Sequence, residues 1–456
     1  MATVGVVLFL AGTARGWVST QHAREGAAGS VALFANGDVA TSVGYGDVSP
    51  SDAGVLRLDA TTGTLVWRSD VATTGRDDLL GVAVGPDDNV ITVNDSTRAV
   101  IKLDGATGAV LWQTTLVVGN VYAFTVDANG DVVLGGSVLV GPRDREVVTK
   151  YSGTSGAVLW TLLLSGSYVR ALTTDATGDI FVATIDATRT DGSQNAILRS
   201  LSGVDGHSNW DVALPIPTEI LEHPTALTLD RQGRLVALLT DTVRPSNDEG
   251  AKPVPEGSWW VAVSTEAASG RTLWRTEVHA PTKNAHGLPA SSITTAPDGT
   301  VYAGGALGTP TNVSIYGFAV VALDGATGSE RWRHVLNRAI GFLSVANAVA
   351  VAPDGSVVAV GRVDTKKADA PAGFITSLRP SDGRALSEEN LPIQASEVPG
   401  SSLAIDAGGG LVVPGFVYEP FVGTFPSVVK LRSNGTDFGG PTLGMTPRPV
   451  VRTIND

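Results

Sequence analysis

The chain has 456 residues, with 32 basic against 45 acidic side chains and a formal charge of −13. A surface of that sign argues against nucleic acid as a partner, because phosphate-backbone binding needs concentrated positive charge. The absence of cysteine excludes disulfides, thiolate-bound zinc, iron–sulfur clusters and thiol nucleophiles, while leaving the compartment open, since a large core needs no covalent staple.

The first element is an apolar run from Val4 to Ala11. It is as long as a short signal-peptide core but lacks a basic start and a small-x-small cleavage site, so a strand is an equally good reading. No later segment is long and apolar enough to cross a bilayer as a helix. From there on, two phrases alternate. The first is a hydrophobic stretch, a turn rich in Asp, Asn and Gly, and a second hydrophobic stretch, as in VALFANGDVATSV and AFTVDANGDVVLG. Its turns centre on Gly37, Asp88, Gly130, Gly178, Gly233, Gly299, Gly355 and Gly409. Such turns join β-rich segments into antiparallel hairpins. Their spacing runs from 42 residues (Asp88 to Gly130) to 66 (Gly233 to Gly299), the range of propeller repeats rather than of helical solenoids.

The second phrase follows each hairpin: LRLDATTGTLVW at 56–67, IKLDGATGAVLW at 101–112, TKYSGTSGAVLW at 149–160, and weaker copies to the end of the chain. The seventh copy has Ser387 where tryptophan is expected. Each unit thus supplies four strands, A to D, with tight A–B and C–D turns. A four-stranded sheet cannot hide both faces alone, so stacking around an axis is the solution. The expected fold is all-β: an eight-bladed β-propeller of four-stranded antiparallel blades. It occupies 29–456, and 1–28 forms an N-terminal segment that is either a closing strand or signal-like. Unit eight lacks a D strand of its own, for which Val4–Leu10 and Pro449–Ile454 are the candidates.

The Asp-x-x-Thr-Gly-x-x-x-Trp pattern, met at Asp59, Thr62, Gly63 and Trp67, again at Asp104, Thr107, Gly108 and Trp112, and again at Asp324, Thr327, Gly328 and Trp332, resembles the quinoprotein-type, or PQQ-like, β-propeller repeat. Known members of that family include PQQ- and calcium-dependent dehydrogenases and noncatalytic scaffold proteins of the bacterial envelope. The resemblance implies that Trp67, Trp112, Trp160, Trp210, Trp274 and Trp332 wedge between blades. It implies no PQQ site here, because the adjacent cysteine pair of the large alcohol dehydrogenases is missing and no position matches a calcium carboxylate cluster or a catalytic aspartate. No cofactor is therefore expected, calcium being the one such a fold would add.

Both tight turns of a blade emerge on one face, so length is gained on the other, in the B–C and D–A connections. The long B–C connections read from the sequence are 185–195, 241–258, 306–316, 362–372 and 416–426. Function on a repeat scaffold gathers in such loops. On this face the candidate ligand-binding residues are Asp241, Arg244, Trp259, Trp260 and His286. Trp259 and Trp260 lie outside the repeated position, and as neighbours in a strand they point to opposite faces. The histidines His223, His279 and His286 match no compact metal motif. The recurring Asp127, Asp175, Asp230, Asp298 and Asp354 occupy equivalent hairpin positions, where turn chemistry accounts for them.

The functional expectation is a noncatalytic binding or scaffold propeller that presents its loop-rich face to a protein or glycan partner. It is expected as a monomer, in or beyond a bacterial envelope, with a cytoplasmic site left open. The competing expectation is a propeller enzyme, a lyase, hydrolase or metal-assisted lactonase, with groups converging at the axis; a PQQ-dependent dehydrogenase ranks behind it.

Overall fold

The computed structural model describes residues 5–7, 16–22, 27–44, 53–71, 79–94, 97–117, 119–141, 143–186, 194–214, 220–243, 258–280, 290–309, 312–336, 344–363, 372–395, 403–419 and 423–431. It is an eight-bladed propeller: seven four-stranded antiparallel blades in consecutive order A, B, C, D occupy 27–70, 79–115, 120–163, 168–213, 220–278, 290–336 and 345–390. The A strands of successive blades lie against one another around the axis and the D strands form the rim.

A blade packs on both faces, so its middle strands are continuous apolar runs rather than alternating ones. Ile180–Asp186 (IFVATID) is buried almost throughout, whereas the rim strand Ser208–Ala213 of the same blade is exposed at every second position. Eight apolar clusters lie at the eight seams between neighbouring blades, the last of them joining Trp17, Val412 and Val428 to Val31, Leu56 and Leu58 across the ring closure.

Closure uses a segment the sequence reading did not single out. Strand D of blade eight is Trp17–Thr20, which pairs antiparallel with Leu431's strand, Gly423–Leu431, in the register Trp17 with Lys430 and Thr20 with Ser427. Of the two expected candidates, Gly5–Val7 within the first forms a fifth strand outside Trp17–Thr20, and Pro449–Ile454 lies outside the described residues. The correction has a clear physical basis, because Trp17 is the repeat tryptophan that unit eight lacked. Two expected loops are also corrected: blade six pairs as far as Thr309 with Asn312, and blade eight as far as Glu419 with Gly423, so most of 306–316 and 416–426 is hairpin.

The repeat motif reads as a latch between blades. Trp17, Trp67, Trp112, Trp160, Trp210, Trp274 and Trp332 each donate the indole N–H to a carbonyl in the C–D turn of the next blade, those of Ala60, Gly105, Gly153, Gly203, Ala267, Gly325 and Pro380, at 2.7–3.4 Å. In that turn the motif glycine has a positive φ, 73° at Gly108, and a Cβ added there would stand 2.7 Å from the Trp67 ring. The glycine therefore serves both the backbone turn and the seat of its neighbour's indole. Ser387 takes the tryptophan position in blade seven, opposite Ser377. Its next blade draws strand D, Trp17–Thr20, from the other end of the chain, and the residues that follow that blade's strand C, from 432 on, lie outside the described residues.

Candidate functional site

Charges inside hydrophobic strands are costly unless paired, and two adjacent seams carry them. Between blades four and five, Glu222 of strand A (Ile220–Leu229) stands opposite Asp241 of strand B (Arg234–Val243), which stands opposite Trp259 of strand C (Ser258–Glu266). From strand D (Thr272–Val278), Arg275 donates to Glu222 at 2.7 Å and to Asp241 at 3.0 Å. The second Glu222 oxygen accepts the backbone N–H of Ala196 in blade four at 3.0 Å. Among the described residues, Asp241 Oδ1 is buried without a partner, as is Trp259 Nε1.

Two carboxylates share one guanidinium here, so ionising both would leave one negative charge uncompensated in a buried seam. Burial first, and the Glu222 charge second, push Asp241 up to about 7 against the pull of Arg275; burial also raises Glu222. The Trp259 ring lies 5.3 Å from that of His279, tilted by 35°.

The seam between blades three and four repeats this balance with other residues. Arg199 of Asn195–Leu201 lies 3.5 Å from Glu146 of Arg143–Tyr151 and 2.7 Å from Asp211 of its own blade. The Gly166 N–H reaches Glu146 at 3.2 Å, and burial pushes this carboxyl up to about 7. Counted back from the C–D turn, the place that Glu146 holds in blade three belongs to Trp260 in blade five.

On the tight-turn face a third set of charges stitches blades together. Arg57 binds Asp38 at 2.7 Å and the Gly105 carbonyl of the next blade at 2.6 Å; Lys150 binds Asp127 at 2.8 Å and the next blade's Gly203 carbonyl at 2.9 Å. The hairpin aspartates accept backbone N–H groups of their own turns, Asp127 from Asn129 and Asp131, Asp230 from Gln232 and Arg234. These groups close turns and seams.

A family model described as outer membrane protein assembly factor BamB matches residues 51–220 and 240–418, well over half of the chain. The chain belongs to this PQQ-like propeller family. Solved structures that resemble it include BamB from Moraxella catarrhalis, 16% identical with 88% of this chain and 96% of that one covered (TM-score 0.50). Quinohemoprotein alcohol dehydrogenase from Comamonas testosteroni is 13% identical, with 93% and 76% covered (TM-score 0.54). The computationally designed Ika8 protein is 16% identical, with 89% and 97% covered (TM-score 0.53). At such identities the likeness is one of fold. No curated protein matches the chain.

In this member of the BamB-type family, the residues singled out from the sequence are distributed as follows. Asp241 and Trp259 share the seam of blades four and five, while Trp260, fully buried, packs into the seam of blades five and six. Arg244 and His286 lie outside the described residues. Sequence reasoning passed over Glu222, Arg275, Glu146, Arg199 and Asp211. The signal available was a charge at a strand position where other copies of the repeat carry an apolar residue: counted back from the C–D turn, the place of Glu146 in blade three is held by Ala196, Trp260 and Phe318 in blades four, five and six. Among the described residues, no three His, Cys, Asp or Glu side chains gather as a metal site would require, and no helix is long and apolar enough to cross a membrane.

Proposed function

We propose that this propeller is a noncatalytic scaffold that holds a protein partner in or beyond a bacterial envelope. The observation that carries this reading is how the interior carboxylates are used: Glu146, Glu222 and Asp241 all engage Arg199 or Arg275 inside seams. Paired in this way, these carboxylates are committed to holding neighbouring blades together, and recognition is left to the surface. A family model described as an outer membrane protein assembly factor, running through both halves of the ring, supports the same conclusion and favours an envelope location.

The test is cross-linking of the purified full chain, carrying photoreactive side chains around its surface, to an envelope extract, followed by mass spectrometry of the products. A single protein captured reproducibly from one region of the surface is the expected result. Capture by an immobilised glycan in place of protein, or a stoichiometric metal together with turnover of a small substrate, would replace the reading.

A further inference from the structure

Among the described residues, in blades one to seven the D strand ends the sheet, so its outer edge carries unpaired backbone N–H and C=O groups. Native proteins guard such edges with charges, bulges or a covering segment. Blade eight shows the third device: Gly5–Val7 adds antiparallel to the outer edge of Trp17–Thr20, pairing with Thr20, Ser19 and Val18. Just after the tryptophan position, where this added strand sits, strand D of blade eight reads Val18-Ser19-Thr20, without a charge.

The same three positions are charged in blades one (Arg68, Asp70), four (Asp211), five (Arg275, Glu277), six (Arg333) and seven (Glu388, Glu389). They are charge-free in blade two (Gln113-Thr114-Thr115) and blade three (Thr161-Leu162-Leu163). Both rims also expose apolar side chains, Val110 and Leu111 at 54% and 50% in blade two and Leu159 and Leu163 at 50% each in blade three, and of these only Leu163 lies within the three positions. These two neighbouring edges are thus of the type that in blade eight carries an added strand, and among the described residues no strand pairs with either.

We propose that the rim edges of blades two and three, blade three foremost, are docking sites for an extended, uncharged, apolar-rich strand of a protein partner, added antiparallel as Gly5–Val7 is in blade eight. The occupant follows from the chemistry of the edge. A row of backbone donors and acceptors is matched only by another extended backbone, and a lining of Thr161, Leu162 and Leu163 offers no ionic partner to a charged one. The register is limited as well. Strand D of blade three has a bulge between Val158 and Trp160, so pairing begins beyond the tryptophan, as it does at Val18 in blade eight. This inference rests on the protein-binding reading above and names how the partner is held.

The probe is a short synthetic peptide of alternating Val and Thr, capped at both ends and fluorescently labelled, added to the full-length protein. Bound peptide is expected to slow amide hydrogen exchange within 158–163, and Leu163→Lys, at an exposed position, to weaken binding by roughly tenfold or more. Ala213→Lys, on the guarded edge of blade four, is expected to leave affinity unchanged. A thermal midpoint for Leu163→Lys equal to that of the wild type shows that the ring is intact. Three results overturn the proposal: no protection at saturating peptide, protection confined to another edge such as Val18–Thr20, or equal affinity for Leu163→Lys. A concentration-dependent dimer abolished by Leu163→Lys, with no peptide bound, assigns the edge to a second copy of this chain and also overturns it. If the envelope partner still cross-links to the Leu163→Lys protein, the edge proposal falls while the scaffold reading stands; if the wild type captures no partner at all, the scaffold reading falls.

Discussion

The latch between blades one and two makes a sharp energetic prediction. Trp67 is 8% exposed and donates to the Gly105 carbonyl at 2.7 Å, while its ring covers Gly108, whose φ is 73°. Truncating Trp67 to alanine removes a buried aromatic and its hydrogen bond, a loss of about 3–5 kcal/mol. Gly108→Ala carries two costs. A left-handed backbone at a residue with Cβ costs about 1–2 kcal/mol, and the new methyl, 2.7 Å from the ring, adds an overpacking term of about 1–3 kcal/mol. In the Trp67→Ala background the ring is gone and only the backbone cost remains. The double variant is therefore expected to be more stable than the sum of the singles by about 1–3 kcal/mol, the overpacking term itself. Urea unfolding followed by circular dichroism, with reversibility checked, measures this. Gly37→Ala serves as the control, because its φ is 83° but the nearest atom to a new Cβ is 3.6 Å away, on Ala60; it should add to Trp67→Ala without coupling. Additivity of Gly108→Ala and Trp67→Ala to within about 0.5 kcal/mol would refute the two-fold role assigned to the glycine.

Three further outcomes are expected. Burial holds Asp241 at about 7 in the folded chain, well above the usual carboxylate range, so the folded state binds its proton more tightly. Its contribution is complete below the unfolded value and is lost as pH rises through 7; the thermal midpoint should fall from pH 5 to pH 8. Asp241→Asn should flatten part of that slope, and adding Glu146→Gln should flatten more. Unchanged slopes in both variants would show that these seams do not titrate. Lys150→Met leaves Asp127 buried without its cation and should cost about 3–5 kcal/mol in urea unfolding, whereas a loss below about 1 kcal/mol would mean that the pair is solvated. Trp17→Ala removes the closing indole and should raise hydrogen exchange first in 411–431, the strands of blade eight; uniform loosening of all blades would count against local closure.

Repeat phrases and turn chemistry were enough to establish an all-β ring of eight four-stranded blades, because each depends on contacts a few residues apart. A glycine with positive φ and an aspartate that accepts N–H groups from its own turn are local devices, and Asp59, Thr62 and Gly63 announce them in the chain. The role of the tryptophans as seam residues followed from their period. What received their indoles did not, since Trp67 and Gly105 lie in different blades. Tertiary structure alone revealed that Trp17 completes blade eight, because pairing with Lys430 across the whole chain leaves no local trace. The same holds for the buried charges: Glu222, Asp241 and Arg275 come from three strands, and only the register brings two carboxylates to one guanidinium. Local sequence set the blades and the charge along each rim edge; long-range pairing decided how the ring closes and where two buried carboxyls meet one guanidinium.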